Sequence, residues 1–192
     1  MIDKILATID NSPRNQAVFE TAVSLAQATG AKLMLLHVLS EEDVDYPILP
    51  TYAYYAVLKG KDDSIFHQKF DEYERREEEF LKELTRKAIA LGIDAEYAQL
   101  SGIPGWTICE IASKWSANLI LVGSRGLKGM KEMFVGSVSN YVTHHAPCSV
   151  LIVRSDTDSV SYTIDPLYEE EIETDSKQAL KDTASHKVLN QN

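Results

Sequence analysis

Apolar residues gather along this chain in short dense blocks, and between the blocks they recur at helical spacing. Lys4 to Ile9 (KILATI), Lys32 to Val38 (KLMLLHV), Leu119 to Val122 (LILV) and Ser149 to Val153 (SVLIV) are nearly continuous in apolar side chains, as strands covered on both faces must be. Ala95 to Leu100 (AEYAQL) alternates instead and reads as a strand nearer an edge. Asn11-Ser12-Pro13 supplies a cap and a first-turn proline for a helix that Gly30 ends, with Val18, Ala22, Leu25 and Ala26 on one face. Phe66, Phe70, Tyr73, Phe80, Leu81, Leu84, Ala88 and Leu91 predict a long helix from Ser64 to Leu91. The run Glu77-Glu78-Glu79 interrupts that stripe and reads as a solvated face. Ile108, Ile111, Ala112 and Trp115 face inward in a helix from Ile103 to Ser116, and Ser137 to His145 makes a last helix that Pro147 stops.

The order β-α-β-α-β-α-β-α-β predicts an α/β protein: a single doubly wound five-stranded parallel sheet with helices on both faces, because each crossover is right-handed. In such sheets ligands bind beyond the carboxyl ends of the strands, where the strand order reverses. The loops after strands one and four both qualify, which puts Asp10 and the loop around Gly126 on one pocket.

Two segments leave this rhythm. Ser40 to Asp63 carries Pro47, Pro50 and the tyrosines Tyr46, Tyr52, Tyr54 and Tyr55. A connection of that length is functional or disordered; the tyrosines cover a base, cover a partner surface or decorate a flexible loop. Between Asp156 and the end, nine acidic residues stand against three lysines, which accounts for six of the ten net negative charges. This tail is expected to be disordered, with a marginal helix around Tyr168 to Leu180. The expected organisation is therefore a domain at 1–154, with an insert loop at 40–63, and an acidic tail at 155–192.

The net charge of −10 argues against a nucleic-acid partner, which calls for a basic face. Cys109 and Cys148 lack metal-like spacing and read as small buried residues in a reducing compartment. The N-terminus runs straight into a strand and no apolar run reaches the roughly eighteen residues of a membrane span. The expectation is a soluble cytoplasmic protein with no membrane partner.

The chemistry concentrates at Gly123-Ser124-Arg125-Gly126, followed after nine residues by Gly136-Ser137. Glycines at a strand-to-helix junction let the backbone approach a ligand closely. The helix start offers unpaired N–H groups and a positive partial charge, so the junction is an anion site suited to phosphate. Asp10 is either a pocket residue or a helix cap, a role for which Asn11 and Ser12 compete. Arg125 reaches a phosphate or stands on the surface. His37 reads as structural, and His144 and His145 as favourable charges at a helix end.

These residues resemble the universal stress protein family in its ATP-binding branch, whose G-x2-G-x9-G-[S/T] pattern is matched by Gly123, Gly126, Gly136 and Ser137, with Gly129 as an extra glycine in the gap. Asp10 after strand one, His37-Val38 ending strand two and Gly102-Ile103-Pro104 before a helix also match. The likeness covers Met1 to about Arg154; the tail has no counterpart in it. It implies an adenine nucleotide alpha hydrolase-like, Rossmann-like fold. It further implies that Thr8, Ile9 and Asp10 line the nucleoside pocket, that Val38 meets adenine through its backbone, and that Val122 and Gly123 floor the ribose. Gly126, Gly136, Ser137 and Val138 would hold the phosphates. A homodimer through Ser149 to Val153 is implied as well.

The function expected is a nucleotide-dependent regulator of the stress response that binds ATP and hydrolyses it slowly at most. No general base stands beside the glycine loop, and no carboxylate cluster demands a metal, although Mg2+ can bridge phosphates with Ser137 and water. The alternatives are a protein-interaction module of the same fold that works without nucleotide, and a sensor of AMP or a cyclic nucleotide. An adenylating enzyme or a P-loop NTPase is disfavoured: Ile9-Asp10-Asn11-Ser12-Pro13 has no glycine, and no G-x4-G-K-[S/T] is present. An unidentified regulatory protein is the expected partner.

Overall fold

The computed structural model describes residues 1–12, 15–41, 43, 45–47, 64–124 and 136–154, with the side chains of 64–66 excepted. Nine elements follow in order: β1 (Lys4–Thr8), α1 (Asn15–Thr29), β2 (Lys32–Leu39), α2 (Ser64–Ala90), β3 (Ala95–Ser101), α3 (Pro104–Trp115), β4 (Leu119–Gly123), α4 (Ser137–His145) and β5 (Ser149–Val153). The five strands form one parallel sheet in the order β3-β2-β1-β4-β5. The chain winds outward from β1 to β3, then returns to the other side of β1 with β4. The order therefore reverses between β1 and β4, which pair directly, Ala7 opposite Leu121.

Strand alternation sorts the apolar residues onto two faces. Ile5, Ala7, Leu33, Leu35, Leu119 and Leu121 pack with Val18, Phe19 and Ala22 of α1 and Leu81, Leu84 and Ala88 of α2. Leu6, Leu36, Val38 and Ile120 pack on the other face with Ile108 and Ala112 of α3 and Val142 of α4. Leu6, Leu33, Leu35, Ile120 and Leu121 are inaccessible to solvent, the pattern of a sheet covered on both sides. Gly30 and Gly92, just past α1 and α2, take φ of 73° and 83°, a left-handed turn that a side chain would strain. The edge position of β3 agrees with its alternating sequence.

Three details differ from the sequence reading. Leu91 lies past the end of α2 and is 54% exposed, and Ile103, at the cap of α3, is 75% exposed. Glu77 lies on the buried stripe of α2, between Tyr73 and Leu81, and not on a solvated face. The two cysteines are half-buried rather than buried, in the layer beneath α3 and α4.

Candidate functional site

The carboxyl ends of β2, β1 and β4 lie side by side and carry most of the described candidate residues. Ile9 N–H continues the ladder beyond β1 by donating to Leu36 O at 2.8 Å. Its side chain, 3% exposed, belongs to the core beneath α1 and α2, so Ile9 presents only backbone to the crevice. Thr8 Oγ1 donates to Leu121 O at 3.1 Å and ties β1 to β4. Val38 is buried on the α3 face of β2, and Val122 is buried next to the half-exposed Gly123 at the end of β4.

Asp10 shapes the turn between β1 and α1. Its Oδ1 accepts from Ser12 N–H at 3.2 Å and from Ser12 Oγ at 2.6 Å, while its backbone carbonyl accepts from Asn15 Nδ2 at 2.9 Å. This is an Asx-type turn ahead of α1, and the same residue stands at the strand-order reversal.

The glycine loop is closed at its base. Ser124 N–H donates to Val153 O, and Ser124 O accepts from Gly136 N–H at 2.8 Å and from Ser139 Oγ at 3.4 Å. Ser139 Oγ also lies 3.1 Å from Gly136 O. Ser139 is 1% exposed and was not singled out in the sequence, because its role depends on where Ser124 O falls in space. Gly136 is the N-cap of α4 and makes no side-chain cap bond, and Ser137 beside it is exposed. The first N–H groups of α4 are thus left available for an anion. Val138 packs into the core beneath α3 and α4. Arg125, Gly126 and Gly129 lie outside the described residues, as do Tyr52, Tyr54, Tyr55 and the tail.

A second polar group lies behind the crevice, on the α2 side. His37 is 3% exposed and Glu77 1%, with His37 Nδ1 4.0 Å from Glu77 Oε2. Glu77 Oε1 accepts from Asn11 Nδ2 and from Arg76 Nε, each at 3.1 Å. His37 Nε2, Glu77 Oε2 and Gln99 Oε1 are buried with no hydrogen-bond partner among the described residues. Burial pushes the His37 imidazole below its ordinary pKa, against the pull of Asp43, Glu77 and Asp10, whose negative charges favour its protonation. The helical period was the signal for Glu77: positions 73, 77, 81, 84 and 88 form one stripe.

The remaining candidates lie elsewhere. His145 Nδ1 is 2.8 Å from Tyr141 O and its ring stacks on Tyr141 at 4.0 Å, at the far end of α4 from Ser137. His144 is exposed there. Burial raises both cysteine thiols, Cys148 further through Cys109, which keeps them protonated and unreactive at neutral pH. Among the described residues no group of three or more His, Cys, Asp or Glu side chains is arranged to hold a metal ion, and no helix is long and apolar enough to cross a membrane.

Residues 1–154 match the universal stress protein family. A universal stress protein of Synechocystis is 34% identical over 151 residues, which cover 79% of this chain and 97% of that protein. The structure of universal stress protein UspA from Lactobacillus plantarum superposes with a TM-score of 0.64 at 26% identity, over 80% of this chain and 98% of that one. That of an Archaeoglobus fulgidus universal stress protein in complex with dAMP superposes with a TM-score of 0.51 at 19% identity, over 80% of this chain and 99% of that one.

Proposed function

The chain belongs to the universal stress protein family, and from that premise we propose that it binds ATP as a nucleotide-dependent regulator of the stress response, with slow hydrolysis at most. One observation carries the reading: the Asp10 turn stands at the strand-order reversal beside a glycine loop whose base is clamped at Ser124 and which opens onto an uncapped helix start. A crevice at that point of a doubly wound sheet is where such folds take their ligands, and an uncapped helix start prefers an anion.

In this reading Thr8, Ile9 and Asp10 line the nucleoside end, Val38 offers backbone to the base, and Val122 and Gly123 floor the sugar. Gly126, Gly136, Ser137 and Val138 hold phosphates through N–H groups and the Ser137 hydroxyl, with Arg125 at the loop. Gly136 suits a cap that a phosphate approaches closely, since it has no Cβ to stand in the way. With no clustered protein carboxylates among the described residues, Mg2+ would arrive with the phosphates and keep water and Ser137 as its other ligands. The dAMP-bound relative from Archaeoglobus shows that a protein of this fold accepts an adenine nucleotide; the argument for this chain rests on its own loop and helix start.

The test is acid release and chromatography of nucleotide carried by the purified protein, followed by calorimetry with ATP, AMP and cyclic AMP, with and without Mg2+. Adenine nucleotide is expected on the native protein and absent from Gly126→Val, where a branched side chain intrudes at the motif's second glycine. Binding by AMP or cyclic AMP in preference to ATP moves the reading to a monophosphate sensor. Unaltered ATP binding by Gly126→Val overturns the site assignment.

A further inference from the structure

We propose that Glu77 is a positioning residue that sets the Asp10–Ser12 turn from behind and couples it to the base of the 40–63 insert. The inference rests on reading the crevice as a nucleotide site and adds a regulatory input to it. A single buried carboxylate joins three segments that are distant in sequence. Its Oε1 accepts from Asn11 Nδ2, the residue between Asp10 and Ser12, at 3.1 Å. The same oxygen accepts from Arg76, through Nε at 3.1 Å and Nη2 at 3.0 Å, and Arg76 Nη2 reaches on to Asp45 Oδ2 at 3.1 Å. Its Oε2 faces His37, the residue before Val38.

The start of the insert is held on α2 by further contacts. Tyr73 OH donates to Asp43 Oδ2, and Asp43 Oδ2 also accepts from Ser40 N–H at 3.0 Å. Tyr46 packs edge-on against Phe70 and Tyr73, with ring centroids 5.9 and 5.7 Å apart. The Arg76 guanidinium stands 5.6 Å over the Tyr73 ring. Asp43, Asp45 and Tyr46 on one side and Asn11 on the other therefore share α2 as a common back wall, with Glu77 between them.

A carboxylate with 1% exposure is expensive to hold unless its bonds are kept. Any displacement of Arg76 by the insert is thus felt at Asn11, and any shift of the turn on ligand binding is felt at Asp45. A partner or modification that pulls on the insert has, through Glu77, a route to the ligand site. The hydrogen bond from Asn11 is the link from Glu77 to the Asp10–Ser12 turn.

The test is a double-mutant cycle in the full chain, read by ATP affinity in calorimetry and by hydrogen exchange of the Ser12 amide in the unliganded protein. Asp45→Asn removes the far, exposed end of the chain of bonds. It is expected to weaken ATP binding by about two- to fivefold, the range an exposed ion pair can transmit, and to speed exchange at Ser12. Both effects are expected to vanish in the Glu77→Gln background, and equally in Asn11→Ala, which leaves the buried carboxylate untouched if Glu77→Gln folds poorly. Equal effects of Asp45→Asn in all backgrounds overturn the coupling. A wild-type protein that binds no ATP overturns the nucleotide reading instead, and Ser12 exchange then decides the coupling by itself.

Discussion

His37 is the residue at which burial and charge oppose each other most directly. Its ring is desolvated between the sheet and α2, and it faces Asp10 after β1, Asp43 after β2, and Glu77, which itself pairs with Arg76. Desolvation wins, and the folded-state pKa lies below the ordinary histidine value of about 6.5. The unfolded chain then binds its proton first as the pH falls. The His37 contribution to stability is accordingly full above about pH 6.5 and declines below it, until the folded form is protonated too. Urea unfolding at pH 7.5, 6.5 and 5.5 is expected to show a steeper loss of stability toward acid in the wild type than in His37→Asn. Parallel profiles would mean that the three carboxylates hold the imidazole at its ordinary value. His37 was legible in the sequence as a strand-end residue, but its partner was not. Composition alone makes Glu77 one of three solvated glutamates, whereas the period of α2 places it under the helix while Glu79 is 62% exposed.

α3 and α4 meet closely at Gly105. A Cβ built there stands 2.8 Å from Tyr141 Cδ1 and 3.0 Å from Tyr141 Cβ. Tyr141 is not free to swing, because His145 stacks on its ring. Gly105→Ala adds helix propensity, yet the overpacking at this crossing outweighs it, at a net cost of about 1–3 kcal/mol. A melting temperature lower by several degrees is the expected reading; an unchanged or higher one would show that the two helices part without penalty. The crossing also bears on the proposed site, since α4 has an N-cap without a side-chain bond at its start. Local signals explain why the elements themselves were readable: Gly30 closes α1, Pro147 stops α4, and the motif glycines punctuate one short stretch. The clamp of Ser139 on Ser124 was not readable, because it links positions fifteen residues apart through a backbone oxygen whose location only the folded loop fixes.

At the scale of the whole molecule the two edges of the sheet are unequal. At the β3 edge Glu96 accepts from Trp115 Nε1 and pairs with Lys32, Tyr97 OH donates to Glu78, and Gln99 donates to Glu74 O. Charged and tethered side chains of this kind discourage another strand from pairing. Among the described residues the β5 edge has no such guard: Ser149–Val153 carries no charge, and Leu151 is 37% exposed. The family resemblance implies this strand as a contact between copies, and its place at the edge of the sheet is a physical ground for that expectation. An uncharged edge strand with open N–H and C=O groups is stabilised by a second copy of itself, and a two-fold axis is the simplest way to close such a contact. Sedimentation of the full chain at about 10 μM is expected to give twice the chain mass, since contacts of this class commonly have affinities tighter than micromolar. Leu151→Lys, which puts a charge on the edge at a position 37% exposed, is expected to sediment as a folded monomer. A wild-type monomer at that concentration would remove β5 as the interface. A Leu151→Lys dimer would move the contact to another surface.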